Sequence, residues 1–295
     1  MSFSSILLII MRNSSDSSLK NSSADALLEK GLISNQTNNN GLQQEINQGF
    51  ILTRQSQDRF GRICITLWLK TASGPVKLEI HDELAVFFVS EVQQKEAVDI
   101  LNDASIKIEK VNTLTLKTFN QEVVSGFYFK SMRDFYAARD RLKHHSIKCY
   151  EDDFRPDDRF LMERFITANL SFIGSEKANF ETKNNPANYK AYSKVKCKTL
   201  PYHQADKNIA LTMVSVDLEC SMQGELYSIG LYAKVNGEDV NCVLMIGEPE
   251  ETELNYIQWV ADESALLIAF IEWIHVNDPD IMIGWNVVNF DFSLF

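Results

Sequence analysis

No Cys-x-x-Cys pair occurs in this sequence, and its five cysteines (Cys64, Cys149, Cys197, Cys220, Cys242) are scattered. An odd, unpatterned set reads as free thiols in a reducing compartment, the cytoplasm, rather than as a disulfide framework. No run approaches the roughly 18 apolar residues of a membrane span, so no membrane partner is expected. Ile6–Met11 is apolar but short, with no basic residue before it and no small-residue cleavage site after it, so a disordered tail is expected there rather than a secretory signal. Positive charge is scarce as well: 29 Lys and Arg stand against 40 Asp and Glu, a net charge of -11. A basic patch is the usual footprint of nucleic-acid binding. Its absence counts only weakly, because a metal-dependent nuclease concentrates acid at its site and lets cations meet the phosphates.

The 295 residues suffice for about two domains, and 45% hydrophobic residues give a sizeable core. Residues 1–48 differ from the rest. They are rich in Ser, Asn and Gln, with tracts such as Asn13–Ser18 and Asn38–Asn40, and Phe3 is their one aromatic residue. Such a composition cannot bury enough apolar surface to fold alone, and a disordered tail is expected.

From Gly49 the pattern changes. Gly49–Thr53, Arg62–Lys70, Val76–Ile80 and Leu84–Val89 read as strands, the second and third joined by the Ser73-Gly-Pro75 turn. Ser90-Glu-Val-Gln93 fits a capping box and predicts a helix to about Leu101. Val123–Phe129 reads as a strand, Ser131 as the cap of the next helix, and Ser146–Tyr150 as a short strand. An α+β domain over 49–155 follows. Residues 156–208 are expected to connect: a helical turn or two at Arg159–Ile166, then a polar linker over Asn179–Lys207.

The third stretch, 209–295, starts with an apolar, β-branched run, Ala210–Cys220, that ends in Asp217-Leu-Glu219. Side chains alternate faces along a strand, so Asp217 and Glu219 point the same way with Cα atoms roughly 7 Å apart. Two such carboxylates can hold hard divalent cations, which take oxygen ligands, and a pair of these ions is a recurring device for cutting phosphodiesters. Standing alone, the pair also fits a strand running out into a polar turn. Glu225–Val235 and Val240–Ile246 read as two more strands around the Asn236-Gly237 hairpin turn. A helix runs from its Asp262 cap to about Val276, with Leu267, Phe270, Ile271 and Ile274 as its apolar face, and Asp280–Trp285 reads as a strand parallel to the first. Asp291 follows in Asn286-Val-Val-Asn-Phe290-Asp291, at a strand end, where α/β sheets build their sites. On its own, Asp291 equally fits an acid favoured at a helix N-terminus.

Taken together, Val214–Glu219 and Pro279–Asp291 resemble the first and second exonuclease motifs of family B DNA polymerases. Gly49–Arg54 and Arg159–Thr167 are similar to segments of the same family, so the resemblance covers roughly 49–295 in order. It implies an α/β fold: an α+β N-terminal domain, then a ribonuclease H-like 3′–5′ exonuclease domain, truncated here. It implies a DNA polymerase that removes mismatched nucleotides from a primer 3′ end, using two Mg²⁺ ions with Mn²⁺ as a substitute. Asp217, Glu219 and Asp291 match catalytic metal ligands, Asp217 bridging both ions and Glu219 orienting the attacking water. Asn286 and Phe290 match substrate-side and packing positions. The family's third motif, Tyr-x-x-x-Asp, and its polymerase palm are absent before Phe295, so the chain reads as the front part of a polymerase, weakly active or inactive by itself. Deoxynucleotides and a sliding clamp would be partners of the missing parts, while single-stranded DNA and the primer 3′ end would be partners here. The alternatives are a non-catalytic piece that binds nucleic acid or a partner, and a free-standing ribonuclease H-like exonuclease of another family.

Overall fold

The structure is a computed structural model that describes residues 46–177, 189–207, 209–235, 238–251 and 253–285. Most of the tail expected to be disordered therefore lies outside the described residues, as do Asn236, Gly237, Asn286, Phe290 and Asp291. The chain divides into two compact units at Asp206–Lys207. No helix among the described residues is long and apolar enough to cross a membrane.

In chain order the first unit comprises β1 (Asn47–Arg59), β2 (Arg62–Thr71), β3 (Gly74–His81), β4 (Ala85–Ser90), α1 (Gln94–Asp103), β5 (Lys110–Lys117), β6 (Val123–Phe129), α2 (Met132–His144), α3 (Pro156–Glu163), β7 (Asn169–Lys177) and β8 (Lys190–Thr199). Five of these strands close a barrel in the order β1-β2-β3-β8-β7, antiparallel throughout except for the parallel β3–β8 pair. Period-two alternation turns Ile63, Ile65, Leu67 and Leu69 of β2, and Val76, Leu78 and Ile80 of β3, into one core with Leu170 and Phe172 of β7. The β1–β2 connection is Phe60-Gly61, both with positive φ (52° and 73°), which matches the strand twist of a two-residue hairpin.

A second small sheet, β4-β6-β5, is inserted between β3 and β7 and packs against α1 and α2. Phe87 anchors it, with ring centroids 5.2 Å from Phe129, 5.6 Å from Phe135 and 5.8 Å from Phe127. The Ser131 hydroxyl accepts from the Asp134 N–H (3.0 Å), capping α2 as the sequence suggests. Ser90 makes no such bond; a 3-10 turn, Glu91–Gln93, precedes α1 instead.

Two boundaries need correction. The first described strand begins at Asn47 rather than Gly49, because Asn47–Phe50 pairs with Asn169–Phe172. The stretch expected as a polar linker contains β8, and Asn169–Lys177, left unassigned by periodicity, is β7. These strands complete the barrel, so residues 156–206 belong to the first unit.

The second unit comprises β9 (Met213–Cys220), β10 (Leu226–Val235), β11 (Glu238–Ile246), β12 (Ile257–Val260), α4 (Glu263–Asn277) and β13 (Ile281–Ile283). Its sheet runs β12-β11-β10-β9-β13. The β9-β10-β11 meander is antiparallel, whereas β12 and β13 join in parallel. The Asp262 carboxylate accepts from the Ala265 N–H (2.8 Å), and α4 ends at Asp278 (φ 42°) before Pro279. The face that α4 buries is Leu266, Ala269 and Phe270; Ile271, expected on that face, is exposed. A helix apolar on most sides, as Ala265–Ile271 is, offers no period to choose a face by, so the sheet chooses it.

Candidate metal centre

β9 extends because Val214 and Val216 are β-branched and, with Leu218, fill the core under α4. The same alternation leaves Asp217 and Glu219 exposed on the opposite face. Two anchors fix the strand. At its start the Thr212 N–H donates to Asp280 Oδ2 (2.9 Å), and the Asp280 N–H returns a bond to the Thr212 carbonyl (2.9 Å). Beyond its end the Ser221 hydroxyl accepts from the N–H groups of Gln223 and Glu225, both at 3.1 Å, in a turn that uses Gly224 at φ 89°.

The carboxylates sit where the sheet opens. β13 pairs with β9 only from Met213 to Ser215, so Val216–Cys220 runs on with β10 on one side and no described strand on the other. Directly across on β10, Asp217 faces Gly230 and Glu219 faces Ser228. A Cβ at Gly230 would come 4.0 Å from the Asp217 Cβ and 3.7 Å from its carbonyl oxygen. The missing side chain therefore keeps the space beside Asp217 clear. A shallow depression of about 380 Å³ opens there, lined by Ser215, Asp217, Gly230, Tyr232, Asn241 and Tyr256 among others. Neither Asp217 nor Glu219 makes a hydrogen bond or ion pair with the described residues.

Two unneutralised carboxylates on an open strand end are hard oxygen donors and fit a divalent cation. No three His, Cys, Asp or Glu side chains converge among the described residues. Asp291, the third ligand expected from the sequence, lies outside them, as do Asn286 and Phe290. Gly230 was missed by the sequence reading. Its signal was present: an isolated glycine inside a strand pattern marks a close approach or a place kept free of side chain.

An antiparallel meander with a parallel strand beside its carboxylate-bearing first strand is the sheet of a ribonuclease H-like domain. Residues 147–294 match the profile described as DNA polymerase family B, exonuclease domain, and the chain belongs to that family. The match starts at residue 147, inside the first compact unit, so it includes α3, β7 and β8 as well as the open sheet. DNA polymerase II of Escherichia coli is 32% identical over 250 residues, covering 83% of this chain and 29% of that protein. A DNA polymerase of Thermococcus sp. 9oN-7 is 20% identical, covering 76% and 26%. In structure, the chain is similar to the family B DNA polymerase of Pyrobaculum calidifontis, with a TM-score of 0.58, 13% identity, and 84% of this chain and 31% of that one covered. The chain thus spans under a third of the length of these relatives.

Proposed function

We propose that Asp217 and Glu219 form the central part of a 3′–5′ exonuclease site that removes mismatched nucleotides from the 3′ end of a DNA primer, serving a DNA polymerase. The observation that carries this is the placement of two unpartnered carboxylates on the open face of β9, opposite Gly230, with their neighbours Val216 and Leu218 buried. Family membership supplies the substrate class. In this reading the first compact unit carries the N-terminal domain and the start of the exonuclease-domain match at residue 147, and the second unit carries the rest of that match.

Divalent cations at this site, Mg²⁺ or Mn²⁺, would supply activation of the attacking water and neutralisation of the leaving 3′ oxygen. Asp217 and Glu219 are the oxygen donors for them, and Glu219 also accepts a hydrogen bond from the attacking water and so orients it. In our reading Asp291 completes this donor set, and Asn286 and Phe290 take the substrate-side and packing positions of the family motif. Gly230 leaves room for the terminal nucleotide beside Asp217. Deoxynucleotide and sliding-clamp binding would belong to polymerase regions outside this chain. The free cysteines agree with action in the cytoplasm.

The test is excision from a 3′-mismatched, labelled primer–template by a polymerase-length chain carrying these residues, with Mg²⁺ and with EDTA. Mg²⁺-dependent shortening that disappears on joint Asp217→Ala and Glu219→Ala substitution is expected. Shortening that persists in the double variant would reject the assignment.

A further inference from the structure

The barrel of the first unit closes through a short seam. β3 and β8 pair in parallel only where Val76–Leu78 meets Lys190–Tyr192. Past that point Lys194 takes φ 51° and the register with β7 shifts between Ile173 and Ser175, a bulge that bends the strand. Lys196–Thr199 then runs on with β7 along one edge and no described strand along the other. No loop or turn among the described residues replaces that strand with backbone hydrogen bonds to Lys194–Thr199. Burial follows the same division. Ala191 and Tyr192, before the bulge, are buried, whereas Val195 and Cys197, which pack on the same core beyond it, are half-buried.

An open strand edge presents unpaired N–H and C=O groups, a template for another chain. The side chains beside this edge select the occupant. β8 holds four lysines and no acid, in a chain of net charge -11. Lys194, Lys196 and Lys198 are exposed and make no hydrogen bond or ion pair with the described residues. The side chains of an added strand alternate as those of β8 do. Every second one would stand beside the lysines, where a carboxylate is attracted, and those between would stand beside Val195 and Cys197, where an apolar group fits. Like charges directly across strands repel, so a second copy of β8 is a poor occupant. A nucleic acid has no alternating N–H and C=O groups with which to extend the ladder.

We propose that the open edge of β8, Lys194–Thr199, docks an extended acidic segment of a partner protein, Asp or Glu alternating with apolar residues, which adds one strand to the barrel. The strip uses neither the carboxylates of β9 nor a metal, so its test runs in EDTA and its failure leaves the exonuclease reading untouched.

The experiment is fluorescence anisotropy of the 295-residue chain with a fluorescein-labelled peptide of alternating glutamate and valine. Wild type is expected to bind, more weakly as salt rises. Two forms of the peptide, N-methylated on one or the other alternate set of amides, keep the full charge. The form whose methyl groups face β8 cannot complete the ladder and should bind roughly tenfold more weakly, while the other binds as the parent does. Joint Lys194→Gln, Lys196→Gln and Lys198→Gln should weaken binding of the parent peptide by about tenfold, through lost cross-strand charge pairs. Joint Lys→Glu at the same positions should reverse the preference, to a peptide of alternating lysine and valine. The proposal is overturned if wild type does not bind, or if both methylated forms bind as well as the parent, which would leave charge alone. It is equally overturned if the triple Gln variant, with an unchanged melting curve, binds with wild-type affinity. Displacement of the peptide by oligothymidylate more readily than by polyglutamate of matched charge would also overturn it, because the lysines would then serve phosphates.

Discussion

The barrel of the first unit and the sheet of the second differ at their edges. In the barrel every strand has a neighbour on both sides, and the interior is filled by residues such as Ile65, Leu67, Leu69 and Leu78, all fully buried. In the second unit the sheet ends in two short strands, four-residue β12 and three-residue β13, and α4 packs on one face. Closure removes edges and places all apolar contact inside, so the barrel's outer face is free to carry charge. The open sheet leaves the end of β9 with a neighbour on one side, and Asp217 and Glu219 stand at that end. On the proposed reading, stability and chemistry lie in different parts of the chain, and each substitution below should move one without the other.

The largest expected effect is on chemistry alone. Joint Asp217→Ala and Glu219→Ala should lower excision by roughly a thousandfold or more, because ligands that act as a unit are lost together. Both side chains are exposed, so melting should shift little. Measuring extension beside excision in a polymerase-length chain separates this from misfolding: extension should persist, and equal loss of both would break the comparison.

Next comes an effect on stability alone. Leu67→Ala empties part of the barrel interior and should cost about 3 kcal/mol in urea unfolding. A cost below about 1 kcal/mol would mean that the barrel is not the close-packed core described.

Glu79, on β3, gives a pH-dependent version of the same contrast. Burial pushes its carboxyl up, but hydrogen bonds from Lys177 and Lys77, with their charges, outweigh this and hold it down at about 2, below the ordinary value of 4.5. Arg59 adds a third cation at 3.1 Å. A depressed folded-state value means that the stabilisation is fully present above about pH 4.5 and is lost as pH falls towards 2, up to about 3 kcal/mol in all. The melting temperature should fall across that window in wild type and stay flatter there in Glu79→Gln, which starts lower at neutral pH because three cations lose their counter-charge. Parallel wild-type and variant curves below pH 4.5 would remove Glu79 from the account.

The smallest expected effect is at Gly230. A Cβ there meets only ordinary contacts, so Gly230→Val should fold as well as wild type, since valine suits a strand. Its methyls would stand beside Asp217 and lower excision by roughly tenfold, through misplacement of substrate. Unchanged excision would show that the space opposite Asp217 is not used.

Much of the second unit was legible in the sequence because its signals are local. The alternation of Val214, Val216 and Leu218 against Asp217 and Glu219 is read within six residues, and the Asp262 cap within four. The barrel was only half legible. β8 contributes few apolar residues, since lysine takes four of its ten positions, and the bulge at Lys194 interrupts its period. Its neighbour β3 lies more than 100 residues earlier in the chain, so the parallel pairing left no local trace. β5 was missed for a similar reason: most of its residues are exposed, and its burial is decided by β6 rather than by its own composition. The α4 face was misplaced because an apolar helix carries no amphipathic period. The share of the site contributed by Asp291, Asn286 and Phe290 rests on the family motif, with no structural counterpart among the described residues.

The central claim is that the paired carboxylates of β9 take divalent cations. It is tested most directly by titrating Mn²⁺ into the 295-residue chain and following free Mn²⁺ by electron paramagnetic resonance. Wild type should deplete the free signal. The Asp217→Asn, Glu219→Gln double variant should deplete it less, with unchanged melting. A control double variant in the exposed acidic turn, Glu250→Gln with Glu251→Gln, should behave as wild type does. Equal Mn²⁺ uptake by wild type and the Asp217, Glu219 variant would contradict the account.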